Sequence, residues 1–333
     1  MSEGKKKYDV IIIGGGAAGL SAALWCDELG LSCLLLEAEA EFGGQLLRVY
    51  NRIENHLGSE ANNGRHLRDC FIRQTENRGF TRRLQTKVSR IDAENKKITL
   101  PDGEEFSAKN LIIATGVRRR KLNVEGEDFF RGRGIIESGK KDAAAVAGKA
   151  VLIVGGGDAA LENALILAET AKKVYLAHRR RDFRGRAEFL EKVLRHPKIK
   201  IFIESAVRRI AGKELIETVE IQNLKNGETQ NLPVEAVLIR IGVAPNTEIL
   251  SGKIELDSDG YIKIGSDCET SVKGVFAAGD VANPLAPTVS GAVGMGATAA
   301  KAILQRIMKK NNEIEFSSEN LNCFTKFRNN KTG

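Results

Sequence analysis

Residues 9–37 read DVIIIGGGAAGLSAALWCDELGLSCLLLE. Val10 to Ile13 are a short, wholly apolar and β-branched run, as expected of a central parallel strand buried on both faces. The glycines that follow fall at Gly14, Gly16 and Gly19 in GxGxxG spacing. In such a turn the first glycine permits the sharp reversal, the second lets the backbone approach a diphosphate, and the third lets helix pack closely on strand. The helix that opens there presents free N–H groups to phosphate. Leu20, Ala23, Leu24 and Leu29 recur at helical spacing and Gly30 supplies a stop. Ser32 to Leu36 is a second strand, closed by Glu37, an acid placed to accept hydrogen bonds from ribose hydroxyls. A lone GxGxxG is weak. Between a strand and a helix, with an acid after the next strand, it marks a dinucleotide-binding βαβ unit.

Outward from this unit, Thr99 to Pro101 with Asp102-Gly103 reads as a hairpin turn, and Leu111 to Ala114 as a buried strand closed by Thr115-Gly116. The grammar then restarts. Ala150 to Val154 is a strand, Gly155, Gly157 and Ala160 give a GxGxxA loop, Ala159 to Ala168 is helical, and Val174 to Ala177 is a strand. A strand–glycine–helix–strand unit occurring twice is the main organising feature of the chain. The second copy ends not in an acid but in His178-Arg179-Arg180, with Arg184 a turn later. A carboxylate there repels a 2′-phosphate and guanidinium groups bind it, so NADP is favoured over NAD. Beyond about Ile241, Gly274 to Ala278 reads as a strand and Ser290 to Met308 as a long helix rich in small residues, followed by a polar tail with Phe316, Phe324 and Phe327.

Lys and Arg number 51 against 43 acids, a net charge of +8, which suits either a soluble basic enzyme or one that steers acidic partners. No nucleic-acid recognition motif accompanies the charge. The five cysteines, Cys26, Cys33, Cys70, Cys268 and Cys323, are irregularly spaced and none forms CxxC, which suits reduced thiols. No metal-ligating set is expected. Glycines interrupt the first apolar run after four residues, too early for a signal peptide, and no stretch has the length of a membrane span. The expectation is a cytoplasmic protein.

The chain resembles the low-molecular-weight thioredoxin reductases, including their branch of ferredoxin/flavodoxin–NADP reductases. The resemblance rests on GGGAAG at Gly14, GGQL at Gly43, Glu54-Asn55, ATG at Ala114, GRG at Gly132, GGGDAA at Gly155, HRRxxxR at His178 and FAAGD at Phe276. It implies an α/β fold of two Rossmann-like, three-layer ββα domains. An NADPH domain (119–244) would be inserted in an FAD domain (1–118 and 245–333), in a homodimer, with hinges at 117–122 and 242–246. By this resemblance Gly14, Gly16, Gly19, Glu37, Gln45, Asn55, Thr115, Gly116 and Asp280 contact FAD. Gly155, Gly157, Ala160, His178, Arg179, Arg180 and Arg184 hold NADPH.

One departure decides the chemistry. Thioredoxin reductases carry CxxC followed by Asp a few residues after GRG. Here the two cysteine positions fall on Ser138 and Lys141, with Asp142 at the acid. Serine and lysine cannot undergo disulfide exchange. The family's dithiol-free branch passes electrons from flavin directly to ferredoxin or flavodoxin, and places a tyrosine on the flavin where this chain has Tyr50. Tyr50 as ordinary packing stays open. So does docking of Phe324 and Phe327 on the core rather than over the flavin. The segment 280–299 is closer to the disulfide-reductase branch, so the chain is a hybrid. Two further readings remain: an atypical disulfide reductase using other thiols, Cys323 among them, and a non-catalytic flavin-binding sensor. Basic clusters at Arg118 to Lys121, Arg82-Arg83 and Arg208-Arg209 would favour an acidic protein partner, with Arg118 to Lys121 open to the other reading of a solvated interdomain linker. His56 is read as filling space beside Asn55.

Overall fold

The computed structural model describes residues 7–329 apart from 251 and 253, with side chains described up to residue 309. In chain order the elements begin β1 (Tyr8–Ile13), α1 (Ala17–Glu28), β2 (Cys33–Leu36), α2 (Gly64–Thr75), β3 (Thr81–Arg83), β4 (Arg90–Asp92), β5 (Lys97–Thr99) and β6 (Glu105–Ile113). Next come β7 (Val117–Arg119), β8 (Ile135–Ile136), α3 (Gly139–Asp142), β9 (Ala150–Gly155), α4 (Asp158–Thr170), β10 (Lys173–Ala177), α5 (Ala187–Arg195) and β11 (Ile199–Phe202). The chain continues through β12 (Ser205–Gly212), β13 (Ile216–Asn223), β14 (Thr229–Pro233), β15 (Ala236–Arg240), β16 (Val243–Pro245), β17 (Val275–Ala277) and α6 (Val289–Asn329). Two compact units result, one from the segments up to Val117 and from Pro245 onward, the other from Arg118 to Ala244.

In the first unit the sheet order is β3-β2-β1-β6-β5-β4, with β17 on the far half of β6. Strands β3, β2, β1, β6 and β17 are parallel, whereas β5 pairs antiparallel with the start of β6 and β4 antiparallel with β5. The alternation of β1 fixes the layers. Val10 and Ile12 enter a core shared with Ala18, Ala22 and Cys26 of α1 and Ala299 and Ile303 of α6. Ile11 and Ile13 enter the opposite core with Ile91 and Ile98 of the antiparallel arm and with Ile254 and Ile262. All four are at most 5% exposed, and burial of each such side chain contributes about 1.5–3 kcal/mol. The short spacing of α1 and α6 depends on small residues, since a Cβ on Gly296 would lie 2.3 Å from the Ala18 carbonyl oxygen.

The second unit repeats the plan. Its parallel sheet runs β11-β10-β9-β15-β8, and β12, β13 and β14 form an antiparallel sheet. Val151, Ile153, Val174 and Leu176 face the core of α4 and α5, while Leu152 and Val154 face Val207, Ile210, Val219 and Ile221 of the antiparallel sheet. Both units are therefore three-layered.

Helix α6 corrects one expectation. It does not end near Met308 but continues to Asn329, through a stretch without Gly or Pro to stop it. The side chains of Phe316, Cys323, Phe324 and Phe327 lie outside the described residues. Among the described residues no helix is long and apolar enough to cross a membrane.

Candidate functional site

In the first unit the loop after β1 is closed in by backbone. Gly14 has φ +107°, and a Cβ there would lie 2.3 Å from the Ala114 carbonyl oxygen; one on Gly19 would lie 1.9 Å from the Gly14 carbonyl oxygen. Gly16 differs, with only the Gly44 Cα, 3.9 Å away, near its position. Open space at Gly16, at the uncapped start of α1, is what a bound phosphate requires. Glu37 is buried and its two carboxylate oxygens accept from Gly15 N–H at 2.7 Å and Glu39 N–H at 2.9 Å. It thus fixes the glycine loop against the end of β2 and keeps further lone pairs for ribose hydroxyls.

The segment GGQL joins this loop: Gly43 N–H donates to the Gly15 carbonyl at 2.9 Å, and Gln45 Nε2 donates to the Val117 carbonyl at 2.7 Å. Thr115 and Asn246 form a reciprocal pair, Thr115 Oγ1 donating to the Asn246 carbonyl and Asn246 Nδ2 to the Thr115 carbonyl, both at 2.8 Å. Gly116 takes φ +63° and accepts from Asn246 N–H. Asp280 follows Gly279, where a Cβ would lie 2.8 Å from Ala18 Cβ, so the acid stands beside the start of α1. Burial pushes the Asp280 carboxyl above the ordinary carboxylate range. Tyr50 is half-buried and Asn55 exposed. His56 is not mere filling: Nδ1 lies 3.0 Å from Ser290 Oγ, linking the loop of Asn55 to the first turn of α6.

The second unit builds its loop from the same contacts. Gly155 has φ +151° and its Cβ would lie 2.2 Å from the Arg240 carbonyl oxygen, whereas nothing stands within 4 Å of a Cβ on Gly157. Ala160 is fully buried beneath the loop. His178 occupies the space that a side chain on Gly156 would need, its ring 2.3 Å from that position. Nε2 lies 3.0 Å from the Asp182 carbonyl, and the ring stacks on Phe183 at 4.9 Å. Arg184 N–H donates to the Gly156 carbonyl at 2.8 Å, so the basic loop folds back on the glycine loop while the side chains of Arg179, Arg180 and Arg184 stay exposed. These guanidinium groups and the Gly157 N-terminus of α4 could together hold a phosphorylated dinucleotide.

Burial lowers the His178 pKa against the bond to Asp182, and the neighbouring arginines lower it further. The folded protein therefore binds its proton less readily than the unfolded chain, whose value is near 6.5. Stability falls as pH drops from about 6.5 toward the depressed folded value. His178→Gln should flatten the melting temperature over that window, as thermal unfolding from pH 7 to 5 would reveal.

The turn at the cysteine positions is structural. Asp142 Oδ2 accepts from Glu137 N–H at 2.8 Å and Ser138 N–H at 2.9 Å, and Ser138 Oγ accepts from Lys141 N–H at 3.5 Å. The described cysteines are free: Cys26, Cys33 and Cys268 are buried and Cys70 is half-buried. Cys26 is held well above the ordinary thiol value by its contact with Cys33 and by burial, and burial raises Cys268 to about 11. Thiolates are the reactive form. Ellman titration of the native protein with peptide mapping should therefore label Cys70 and leave Cys26, Cys33 and Cys268 unlabelled until denaturant is added.

Sequence reading missed Asn246 as the partner of Thr115, and Arg240 beside the second loop. The second carried a signal: a charge closing the apolar run AVLIR at residues 236–240.

Two glycine loops at the ends of parallel sheets, one backed by an acid and one by arginines, define a protein with two dinucleotide sites. A model of the pyridine nucleotide-disulphide oxidoreductase family matches residues 8–296. The chain is 34% identical over 296 residues to a thioredoxin reductase of Streptomyces coelicolor, covering 88% of this chain and 91% of that one. It is 32% identical over 297 residues to a 34.2 kDa protein in the rubredoxin operon of Clostridium pasteurianum, covering 89% and 96%. The crystal structure of Lactococcus lactis thioredoxin reductase matches with a TM-score of 0.80 at 32% identity, over 91% of this chain and 99% of that one. The chain belongs to the pyridine nucleotide-disulphide oxidoreductases, as a thioredoxin reductase-like flavoprotein that uses FAD and NADPH.

Proposed function

We propose that the chain takes reducing equivalents from NADPH and delivers them to a small acidic redox protein, ferredoxin or flavodoxin, without an internal disulfide. The observation that carries this reading is the turn from Glu137 to Asp142. Ser138 and Lys141 stand at the cysteine positions there, and Asp142 is committed to two backbone N–H groups. Three of the four described cysteines are buried. The net charge of +8 suits an acidic partner. The Clostridium relative, described as a protein in a rubredoxin operon, adds support for a small redox partner.

In this reading FAD lies in the first unit, on Gly14, Gly16 and Gly19, with Glu37 on its ribose and Gln45, Tyr50, Asn55, Thr115, Gly116 and Asp280 around it. NADPH lies in the second, on Gly155, Gly157 and Ala160. His178 braces the loop, and Arg179, Arg180 and Arg184 take the 2′-phosphate. Bound FAD supplies acceptance of hydride and release of single electrons. The side chains bind, orient and set the local charge.

The test is anaerobic reduction with NADPH, followed by mixing with oxidised ferredoxin, flavodoxin, rubredoxin and thioredoxin in separate cuvettes. Fast reoxidation by ferredoxin or flavodoxin is expected. Fastest reoxidation by thioredoxin would sink the proposal, and failure of NADPH to bleach the flavin would favour a sensor.

A further inference from the structure

Arg240 closes β15 in register with Gly155, the first glycine of the second loop. In the order β11-β10-β9-β15-β8, successive strands run from β9 outward through β10 and β11, and the chain returns to the other side of β9 with β15. The reversal between β9 and β15 is where sheets of this kind open a crevice beyond the carboxyl ends of their strands. The basic loop 178–184 leaves β10, on one side of the glycine loop. Arg240 stands on the other side, on β15.

Its guanidinium is held at that edge. Nη1 donates to the Ile239 carbonyl at 2.9 Å, and Nη2 donates to the Glu137 carbonyl. Arg119 Nη1 donates to the same Glu137 carbonyl at 2.7 Å. Two guanidinium groups on one carbonyl oxygen repel each other. Burial and Arg119 bring the Arg240 pKa down to about 10, opposed only in part by Asp142, Glu137 and Glu162. A half-buried cation facing another cation at the rim of a phosphate-binding crevice is a site for a further negative charge.

We propose that Arg240, backed by Arg119, binds the nicotinamide-side phosphate of the NADPH diphosphate, so that the dinucleotide is gripped by arginine at both ends. This rests on the reading of the second unit as the NADPH module. The 2′-phosphate belongs to the loop after β10, the glycine loop takes the diphosphate between the two ends, and β15 carries the contact beyond it.

The test compares two ligands by titration calorimetry on the FAD-loaded protein. NADP⁺ has both diphosphate phosphates; adenosine 2′,5′-bisphosphate keeps the 2′-phosphate and the adenosine-side phosphate and ends there. Loss of one charge-assisted contact predicts that Arg240→Ala weakens NADP⁺ about tenfold to a hundredfold. Binding of the bisphosphate should stay within about twofold. Arg240→Gln, which keeps a donor for the Glu137 carbonyl and removes the charge, should behave alike and guards against misfolding of the alanine variant. Arg184→Ala should weaken both ligands together. Unchanged NADP⁺ affinity in Arg240→Gln, or equal loss of both ligands, would overturn the assignment. If the unaltered protein binds neither ligand, the NADPH reading of the unit fails and the assignment falls with it.

Discussion

Replacing Arg179, Arg180 and Arg184 together by alanine is expected to weaken NADP⁺ by at least a hundredfold while leaving NAD⁺ affinity within a few fold. The three side chains are exposed around a loop whose backbone is anchored by the Arg184 N–H to the Gly156 carbonyl and by His178 on Gly156. A hydrogen bond to a charged group contributes about 1.5–3 kcal/mol, and solvent exposure places each of these near the lower figure. Three such losses amount to about 4.5 kcal/mol, or roughly two-thousandfold, and non-additivity among neighbours lowers this to the stated bound. Because none of the three side chains is buried, thermal stability should change little. Calorimetric titration with both dinucleotides reads the ratio directly. An unaltered preference would show that the 2′-phosphate is recognised elsewhere.

The second large effect concerns the first loop, where neighbouring glycines should fail in different ways. In Gly19→Ala the added methyl would sit 1.9 Å from the Gly14 carbonyl oxygen, a backbone atom with no rotamer to relieve the clash. Separation of α1 from β1 follows, with a loss of about 3 kcal/mol or more on the scale of core overpacking, and FAD is lost with the fold. Gly16→Ala places the methyl in open space 3.9 Å from the Gly44 Cα. That variant should fold with a melting temperature close to that of the unaltered protein stripped of FAD, yet lose FAD on gel filtration, because the methyl takes the approach path of the diphosphate. Absorbance at the flavin band and thermal unfolding, measured side by side, separate the two. Equal FAD retention in Gly16→Ala and the unaltered protein would remove this loop from the FAD site.

How far the sequence discloses the molecule depends on how local each determinant is. The βαβ units are visible because their signals are contiguous: β1 at Tyr8–Ile13 and α1 at Ala17–Glu28 lie where Val10–Ile13 and the spacing of Leu20, Ala23 and Leu24 place them. The alternate facing of Ile11 and Val10 is invisible in a run that is apolar throughout, so the two cores that sandwich β1 emerge only in three dimensions. The end of α6 is not marked by the polar composition beyond Met308, because helices end at Gly, Pro or a cap and residues 309–329 contain neither Gly nor Pro. Contacts that join distant segments escape local reading altogether. Thr115 and Asn246 are separated by 131 residues, and Arg240 reaches a carbonyl 103 residues upstream. Asp142 shows the reverse case, since its place at the family's acid position is legible in the sequence while its use as a turn cap is not.

That cap has a practical consequence. Ser138 precedes α3 and Lys141 lies within its single turn, three residues on, a separation at which side chains meet and a disulfide can span. Grafting Ser138→Cys with Lys141→Cys should therefore give a dithiol that closes on mild oxidation, seen as loss of two hydrogens by mass spectrometry, with Asp142 still tying down the peptide groups in front of it. Whether sulfur participates at this turn is then a matter of two side chains on a backbone built to accept either chemistry.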